Sequence, residues 1–172
     1  MPDTTASIGL DDIIQIQALT ASDATAAYRA IDALAERVYQ HRLFTVTKSL
    51  HETKEVERVY SSNPRAYAIG GRKQKQGTEW GAQVLDRGEP LICHTPADIA
   101  RVFADHELIF SLGIGSMINV PVLLGGRSFA TMNMSHAGDR FSDDDLPTLR
   151  VLAALLLPMV LGGASASRDR GK

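Results

Sequence analysis

The chain has 172 residues, 44% of them hydrophobic and 22% charged, which are the proportions of one globular domain with its own core. With 18 basic and 20 acidic residues the formal net charge is −2, and this balance predicts neither nucleic-acid binding nor attachment to an anionic membrane. The single cysteine excludes an internal disulfide and a multi-cysteine zinc site, and it favours a reducing, cytoplasmic location.

Neither end of the sequence predicts a targeting or membrane segment. Residues 1–5 lack the basic start and the apolar run of a signal peptide. The most hydrophobic stretch, Val151 to Leu161, has 11 residues and includes Pro158, whereas a bilayer span needs ~20 apolar residues. We therefore expect this stretch to form a buried helix.

The first 40 residues show helical spacing of apolar side chains, with a break near residues 20–23 where Ser22 could cap a second helix. We expect residues 1–40 to form a helical segment that packs on a sheet, residues 41–162 to form the main domain, and residues 163–172 to form a disordered tail. The alternating pattern at 42–51 predicts a strand, and 56–60 predicts its partner.

The middle of the chain predicts shorter elements. Residues 77–85 form a short helix in this interpretation, residues 90–94 a short strand, and residues 97–110 one or two helical turns that cross over the sheet. The basic residues Arg72, Lys73 and Lys75 could attract an anionic ligand, but a solvated loop is the commoner reason for such a cluster.

The segment from Ser116 to Ser135 predicts a β-hairpin. A two-residue turn at Gly125 and Gly126 suits the positive φ angles that such loops require. With this turn, Ser116 pairs with Ser135 and the two share one face by the period-two rule. The shared face then holds Ser116, Ile118, Val120, Val122, Phe129, Thr131, Asn133 and Ser135. Asn119 falls on the opposite, helix-packed face, so either a bulge shifts the strand or Asn119 bonds a helix terminus.

A final helix is predicted after Ser142. The sequence Ser142-Asp143-Asp144-Asp145 is close to a capping box, and its acidic residues suit a helix N-terminus. The apolar residues that follow recur at helical spacing and predict a buried stripe of Leu146, Leu149, Leu152, Leu156 and Met159.

Several of these features, in this order, resemble the GAF domain family over residues 35–161. They are Gly81 to Leu85 with Gly88-Glu89-Pro90, the Asp105-His106 turn, the strand Ser116-x-x-x-Val120-Pro121, the glycine turn, the strand Phe129 to Met134, and Phe141-Ser142-x-x-Asp145. The resemblance implies an α+β fold with a central antiparallel sheet of five or six strands. It also implies terminal helices on one face and, on the other, a small-molecule pocket roofed by the chain between residues 88 and 112.

Departures from the family narrow the function that the resemblance implies. The Asn-Lys-x-x-Phe-Asp-Glu signature of the cyclic-nucleotide class is absent, since Ser135-His136-Ala137-Gly138 stands where it would begin. The family's free methionine-R-sulfoxide reductases need several cysteines for disulfide exchange, so the single Cys93 disfavours that activity. Covalent bilin attachment is disfavoured as well.

Six residues are candidates for ligand binding. The hydroxyls and the amide of the predicted pocket face could orient a ligand, although backbone groups or water could equally satisfy them. Aromatic side chains suit a flat or cationic ligand, yet aromatic residues more often fill cores. The candidates are Tyr67, Trp80, His106, Ser116, Asn133 and Ser135.

Two functions remain open. The first is a stand-alone GAF-type protein with a sensory or regulatory role, which binds an unidentified small organic ligand without a cofactor and forms a homodimer through its terminal helices. The second is a catabolic or redox enzyme that uses Cys93, His106 or Tyr67 as nucleophile, acid or base. For Cys93 and His106 the simpler interpretation is a buried, inert cysteine and a surface histidine. The spacing of the histidines does not predict a metal site.

Overall fold

The computed structural model describes residues 7–75 and 77–162 and has an α+β fold. The helices are α1 (Leu10–Ser22), α2 (Ala24–Tyr39), α3 (Pro96–Val102), α4 (His106–Ser111), α5 (Leu146–Leu155) and α6 (Leu157–Gly162). The strands are β1 (Leu43–Leu50), β2 (Glu55–Ser61), β3 (Arg72–Gln74), β4 (Leu91–Cys93), β5 (Ser116–Leu124) and β6 (Arg127–His136). A π-helical segment spans Gly81–Asp86 and a 3₁₀ turn spans Asp143–Asp145. The predicted tail, 163–172, lies outside the described residues.

The six strands form one antiparallel sheet in the order β3-β2-β1-β6-β5-β4. The terminal helices α1, α2, α5 and α6 pack on one face, where the core includes Phe44, Val46, Ile118, Val120, Met132 and Met134. A second apolar cluster lies on the other face and joins the sheet to the roof, by which we mean residues 62–71, 77–90 and 94–112. The predicted two-sided sheet is therefore confirmed, but the roof begins well before residue 88.

The break between the first two helices falls within the predicted range, but the capping residue is one position later than predicted. Asp23, not Ser22, caps α2, since its extended backbone ends α1 and its carboxylate accepts a hydrogen bond from the N–H of Ala26 at 3.0 Å. Ser22 is still inside α1, and its hydroxyl donates to the carbonyls of Ala18 and Leu19. The Asp23 carboxylate thus pairs an N–H at the start of α2 that the helix itself leaves unpaired.

The β5–β6 hairpin has the predicted turn but not the predicted register. Gly125 and Gly126 have φ angles of 58° and 77°. Leu123 pairs with Ser128 and Val122 with Ala130, so Phe129 is an extra residue in a β-bulge. This one-residue shift places Asn119 opposite Asn133 and removes Ser116 from their face.

The bulge follows from the hydrophobic pattern of the two strands. With it, Ile118, Val120 and Val122 share a face with Ala130, Met132 and Met134, and all six are buried against the terminal helices. Without it, these apolar residues would alternate with polar ones on both faces, which the core does not tolerate. Of the two explanations open for Asn119, the bulge is the correct one.

The C-terminal helical stretch, Asp143–Gly162, is long and apolar enough to cross a membrane by length and composition alone. Its inward face packs into the core, where Leu149, Leu152 and Leu156 are each 0% exposed. The predicted capping box is present, because the Asp145 carboxylate accepts from the N–H of Ser142 at 2.9 Å. The inward face is therefore buried, as predicted, whereas Val151 and Leu161 on the other side are 47% and 39% exposed.

Candidate functional site

A cavity of about 80 Å³ lies between the sheet and the roof, on the face opposite the terminal helices. Strands β1, β5 and β6 form its floor, and the aromatic side chains of Tyr67, Trp80 and Phe103 cover it. It opens where its exposed lining residues, Gly71 and Lys73, reach the surface. The remaining lining residues are Leu43, Thr45, Thr47, Val56, Arg58, Lys75, Asp105, Ile109, Met117, Asn119 and Asn133.

Two opposed amides, Asn119 on β5 and Asn133 on β6, lie in the floor together with the hydroxyls of Thr45 and Thr47 on β1. The indole N–H of Trp80 donates to Asn119 Oδ1. The Asn133 Nδ2 group donates to the carbonyl and the hydroxyl of Thr45, at 3.3 and 3.2 Å. An indole nitrogen can only donate and a carbonyl can only accept, so these partners fix the orientation of both amides.

The fixed orientations leave one donor and one acceptor unused in the cavity. Asn119 Nδ2 and Asn133 Oδ1 are both buried and have no hydrogen-bond partner in the described chain. Buried polar groups are nearly always paired in folded proteins. An unpaired donor and acceptor on neighbouring strands therefore indicate a place for a molecule that bonds to both.

Arg58 is a third polar group with an unused donor in this cavity. Its guanidinium lies over the Tyr67 ring, 4.7 Å from the centroid, and its Nη1 donates to the carbonyl of Ala68 at 3.1 Å. The buried Nε atom has no partner among the described residues, and burial lowers the pKa of the side chain. The described part of the chain places no carboxylate in ion-pair contact with Arg58.

Lys75 is held by aromatic rings and not by a carboxylate. Its Nζ lies 5.0 Å from the centroid of the Trp80 ring and 5.5 Å from that of Phe103. Burial and the charge of Lys73 lower its pKa, because both disfavour the ammonium form. Within the described ranges no ion pair includes Lys75, and the more distant charge of Asp105 favours its ammonium form without a direct contact.

Asp105, the one carboxylate among the described residues that line the cavity, already has two hydrogen-bond partners. It accepts from Lys73 Nζ at 2.6 Å and from the Tyr67 hydroxyl at 3.2 Å. Burial raises the pKa of Asp105, but the hydrogen bond and the charge of Lys73 outweigh it and leave the pKa below its usual value. Burial, with the neighbouring carboxylate, raises the pKa of Tyr67, so its hydroxyl stays a donor. The three groups tie β3 and the start of α4 together over the cavity.

The basic cluster near residue 73 differs from the predicted solvated loop. Arg72 to Gln74 form the edge strand β3, in which Arg72 pairs with Glu57 at 2.8 Å. Lys73 and Lys75 line the cavity.

Of the six predicted ligand-binding residues, Tyr67, Trp80 and Asn133 line the cavity. Their role in binding stays a prediction. Ser135 shares the face of Asn133 but does not line the cavity, and its hydroxyl donates weakly to the carbonyl of Leu43 at 3.5 Å. Ser116 lies on the opposite face because of the bulge, and its hydroxyl donates to the carbonyl of Gly138 at 2.6 Å.

The two candidate catalytic residues, Cys93 and His106, are both absent from the cavity lining. Cys93 is 0% exposed in β4, and burial raises the pKa of its thiol to about 12, so the thiol is protonated near neutral pH. The His106 Nδ1 atom lies 3.0 Å from the carbonyl of Phe103. In the described ranges no hydrogen bond joins the two residues, and no group of three potential metal ligands occurs there.

Sequence reasoning missed Arg58 and Asn119 as cavity residues, and it named Lys75 and Asp105 only as parts of a basic cluster and of a turn. Arg58 and Asp105 carried no local signal, because each joins the cavity through contacts distant in sequence. For Asn119 there was a signal, because the predicted register placed this polar residue among apolar residues that face the helices. A polar residue in such a position indicates that the true register differs.

The sequence model of the GAF domain family matches residues 13–156. No curated protein matches the sequence significantly. Among solved structures, the GAF domain of a phosphoenolpyruvate-protein phosphotransferase from Coxiella burnetii has a TM-score of 0.72 at 13% identity, covering 92% of this chain and 96% of that one.

Two further structures have the same architecture. The GAF domain of a two-component sensor histidine kinase from Bacillus halodurans has a TM-score of 0.64 at 16% identity, over 94% of this chain and 99% of that one. The free methionine-R-sulfoxide reductase from Neisseria meningitidis, solved with its substrate, has a TM-score of 0.60 at 15% identity, over 93% and 96% of the two chains. At these identities the similarity shows a shared fold.

Proposed function

Because this chain belongs to the GAF domain family, we propose that it is a sensory or regulatory protein that binds a small organic anion in the cavity beneath its roof. The observation that carries the proposal is that two cations, Arg58 and Lys75, line this cavity without a carboxylate partner in the described chain. Both side chains are half-buried, and taking a charge out of water is costly unless it is paired. An anionic ligand would supply the missing partner.

The balance of charge around the cavity supports an anion over a cation. Arg58, Lys73 and Lys75 contribute three positive charges, and Asp105 contributes one negative charge. Asp105 is already bonded to Lys73 and Tyr67. The volume of about 80 Å³ is well below the ~300–1,000 Å³ of pockets for drug-sized molecules, so the ligand is a small metabolite. The proposal includes no cofactor.

The geometry supports reversible binding better than it supports catalysis by Cys93, His106 or Tyr67. A nucleophilic cysteine needs a thiolate within reach of the ligand, and Cys93 is buried, protonated and outside the cavity lining. His106 is also outside it. Tyr67 lines the cavity, but its hydroxyl is engaged with Asp105.

We extend the proposal to a cytoplasmic homodimer that forms through the terminal helices. Leu10 and Ile14 on α1 are 71% and 56% exposed, and Val151 and Leu161 on the C-terminal helices are 47% and 39% exposed. Apolar groups at helical spacing on a surface favour association. Native mass spectrometry should find a dimer that Ile14→Glu dissociates and that Leu124→Glu, at the exposed hairpin tip, leaves intact. A monomeric wild type would refute this part.

The binding proposal is tested with the full chain by thermal unfolding in a panel of small anions. At a concentration of ~100 Kd a ligand adds about 2.7 kcal/mol, which raises Tm by roughly 5–10 °C for a domain of this size. Arg58→Met and Lys75→Met should abolish the rise, and Arg150→Met, at an exposed position on α5, should retain it.

Two results would count against the binding proposal. One is a panel in which no anion raises Tm at any concentration. The other is a rise that persists unchanged in both cavity variants, since the anion would then bind elsewhere. Native mass spectrometry of protein purified from its own host would identify a retained ligand directly.

A further inference from the structure

The unused donor and acceptor on the cavity floor specify the ligand more narrowly than the charges do. Asn119 Nδ2 can only donate, and Asn133 Oδ1 can only accept. Their residues are directly opposite on adjacent antiparallel strands, where neighbouring side chains are ~5 Å apart. In the structure these two atoms do not bond to each other. A single ligand group between them must therefore accept from one and donate to the other.

Only some functional groups can both accept and donate a hydrogen bond. A hydroxyl donates one hydrogen bond and accepts up to two. A ketone oxygen accepts but cannot donate, so it would leave Asn133 Oδ1 unpaired. An ammonium group donates but cannot accept, so it would leave Asn119 Nδ2 unpaired, and Arg58 and Lys75 would repel it.

We propose, on the basis of the anion-binding function above, that the cavity selects a small hydroxycarboxylic acid, with its hydroxyl between Asn119 and Asn133 and its carboxylate toward Arg58 and Lys75. Arg58 Nε is a buried donor without a described partner, and the described contacts of Lys75 Nζ are the Trp80 and Phe103 rings and not a carboxylate. Together the four groups satisfy both oxygen functions of such an acid. The apolar lining, which includes Val56 and Met117, contacts its carbon skeleton.

The first test compares matched acids on the wild-type full chain by calorimetric titration. The three-carbon series is lactate, pyruvate, alanine and propionate, and the four-carbon series is 2-hydroxybutyrate, 2-oxobutyrate, 2-aminobutyrate and butyrate. Within each series only the group at the second carbon differs. The hydroxy acid should bind at least about tenfold more tightly than its analogues, because each analogue leaves a buried polar atom unpaired.

The outcomes separate this inference from the function on which it rests. If a 2-oxo or amino acid binds as tightly as its hydroxy analogue, or if no hydroxy acid in either series binds, the inference is overturned. Binding of another small anion in the same cavity would still support the proposed function. Failure of every anion, including the wider panel, would refute both.

A second test uses variants on one strand. Asn133→Leu removes the acceptor, so the ratio of hydroxy-acid to oxo-acid affinity should fall to about one while both acids still bind through the cations. Ser135→Ala is the matched control, since it changes the same face of β6 outside the cavity lining and should retain the ratio. If Asn133→Leu does not fold, the wild-type comparison decides alone. A crystal structure grown with lactate that holds only water between the amides would also overturn the inference.

Discussion

The hydrogen bond between Trp80 and Asn119 offers the sharpest test of the arrangement in the cavity floor. Trp80 is 3% exposed and Asn119 is 1% exposed, and the indole N–H is the partner of Asn119 Oδ1. Trp80→Phe retains an aromatic ring but leaves both polar atoms of Asn119 unpaired, since Nδ2 already lacks a partner. An unpaired buried group costs about 1–3 kcal/mol, and the smaller ring adds the cost of a cavity.

A double-mutant cycle isolates the polar contribution. Asn119→Leu alone should also destabilise, because it leaves the indole N–H unpaired. The double variant has neither polar group, so it should be less destabilised than the sum of the two single changes. The expected coupling is about 1–3 kcal/mol, and the loss of ring volume cancels in the cycle.

The free energy of unfolding is measured by urea denaturation of all four proteins without ligand. For a domain of this size a difference of 1 kcal/mol corresponds to about 2–4 °C in Tm, so calorimetry gives an independent check. Additivity within about 0.5 kcal/mol would show that Trp80 and Asn119 do not bond. The assignment of Asn119 Nδ2 as the unused donor would then fail as well.

Three further predictions concern the rest of the domain. Phe44→Ala should lower the free energy of unfolding by about 3–5 kcal/mol in urea denaturation, because Phe44 is 0% exposed in the helix-side core; a loss under about 1 kcal/mol would contradict that packing. Burial lowers the pKa of His41, but the hydrogen bond and charge of Asp32 outweigh it and raise the pKa overall. The resulting stabilisation is complete below the unfolded pKa of about 6.5 and is lost as pH rises through the folded pKa of His41. The Tm of the wild type should therefore fall relative to that of His41→Gln over this pH range. Parallel curves of Tm against pH for the two proteins would refute the prediction. Cys93 should resist thiol reagents at pH 8 in the native protein and react fully in urea, because burial raises its pKa to about 12; rapid native labelling would refute its burial.

Local signals predicted the elements that depend on a few neighbouring residues. The positive φ angles of Gly125 and Gly126, the capping box at Ser142 and the apolar period of the terminal helices are all short-range properties. They were sufficient for the hairpin turn and for the terminal helices. The resemblance to the GAF family supplied the position of the roof in outline.

The cavity depends on contacts between residues that are far apart in the sequence. Burial of one continuous apolar face on β5 and β6 requires the bulge at Phe129, and that requirement exists only once the terminal helices cover the sheet. The bulge in turn brings Asn119 opposite Asn133 and sends Ser116 to the other side.

Sequence alone thus predicted the glycine turn, the helices and the strands other than β3, because helix caps, turn glycines and hydrophobic periodicity are local patterns. Only the tertiary structure decided which polar groups meet. Trp80 reaches Asn119 across 39 positions of the chain, and Tyr67 reaches Asp105 across 38. No local pattern encodes such pairings, because they depend on how the roof closes over the sheet.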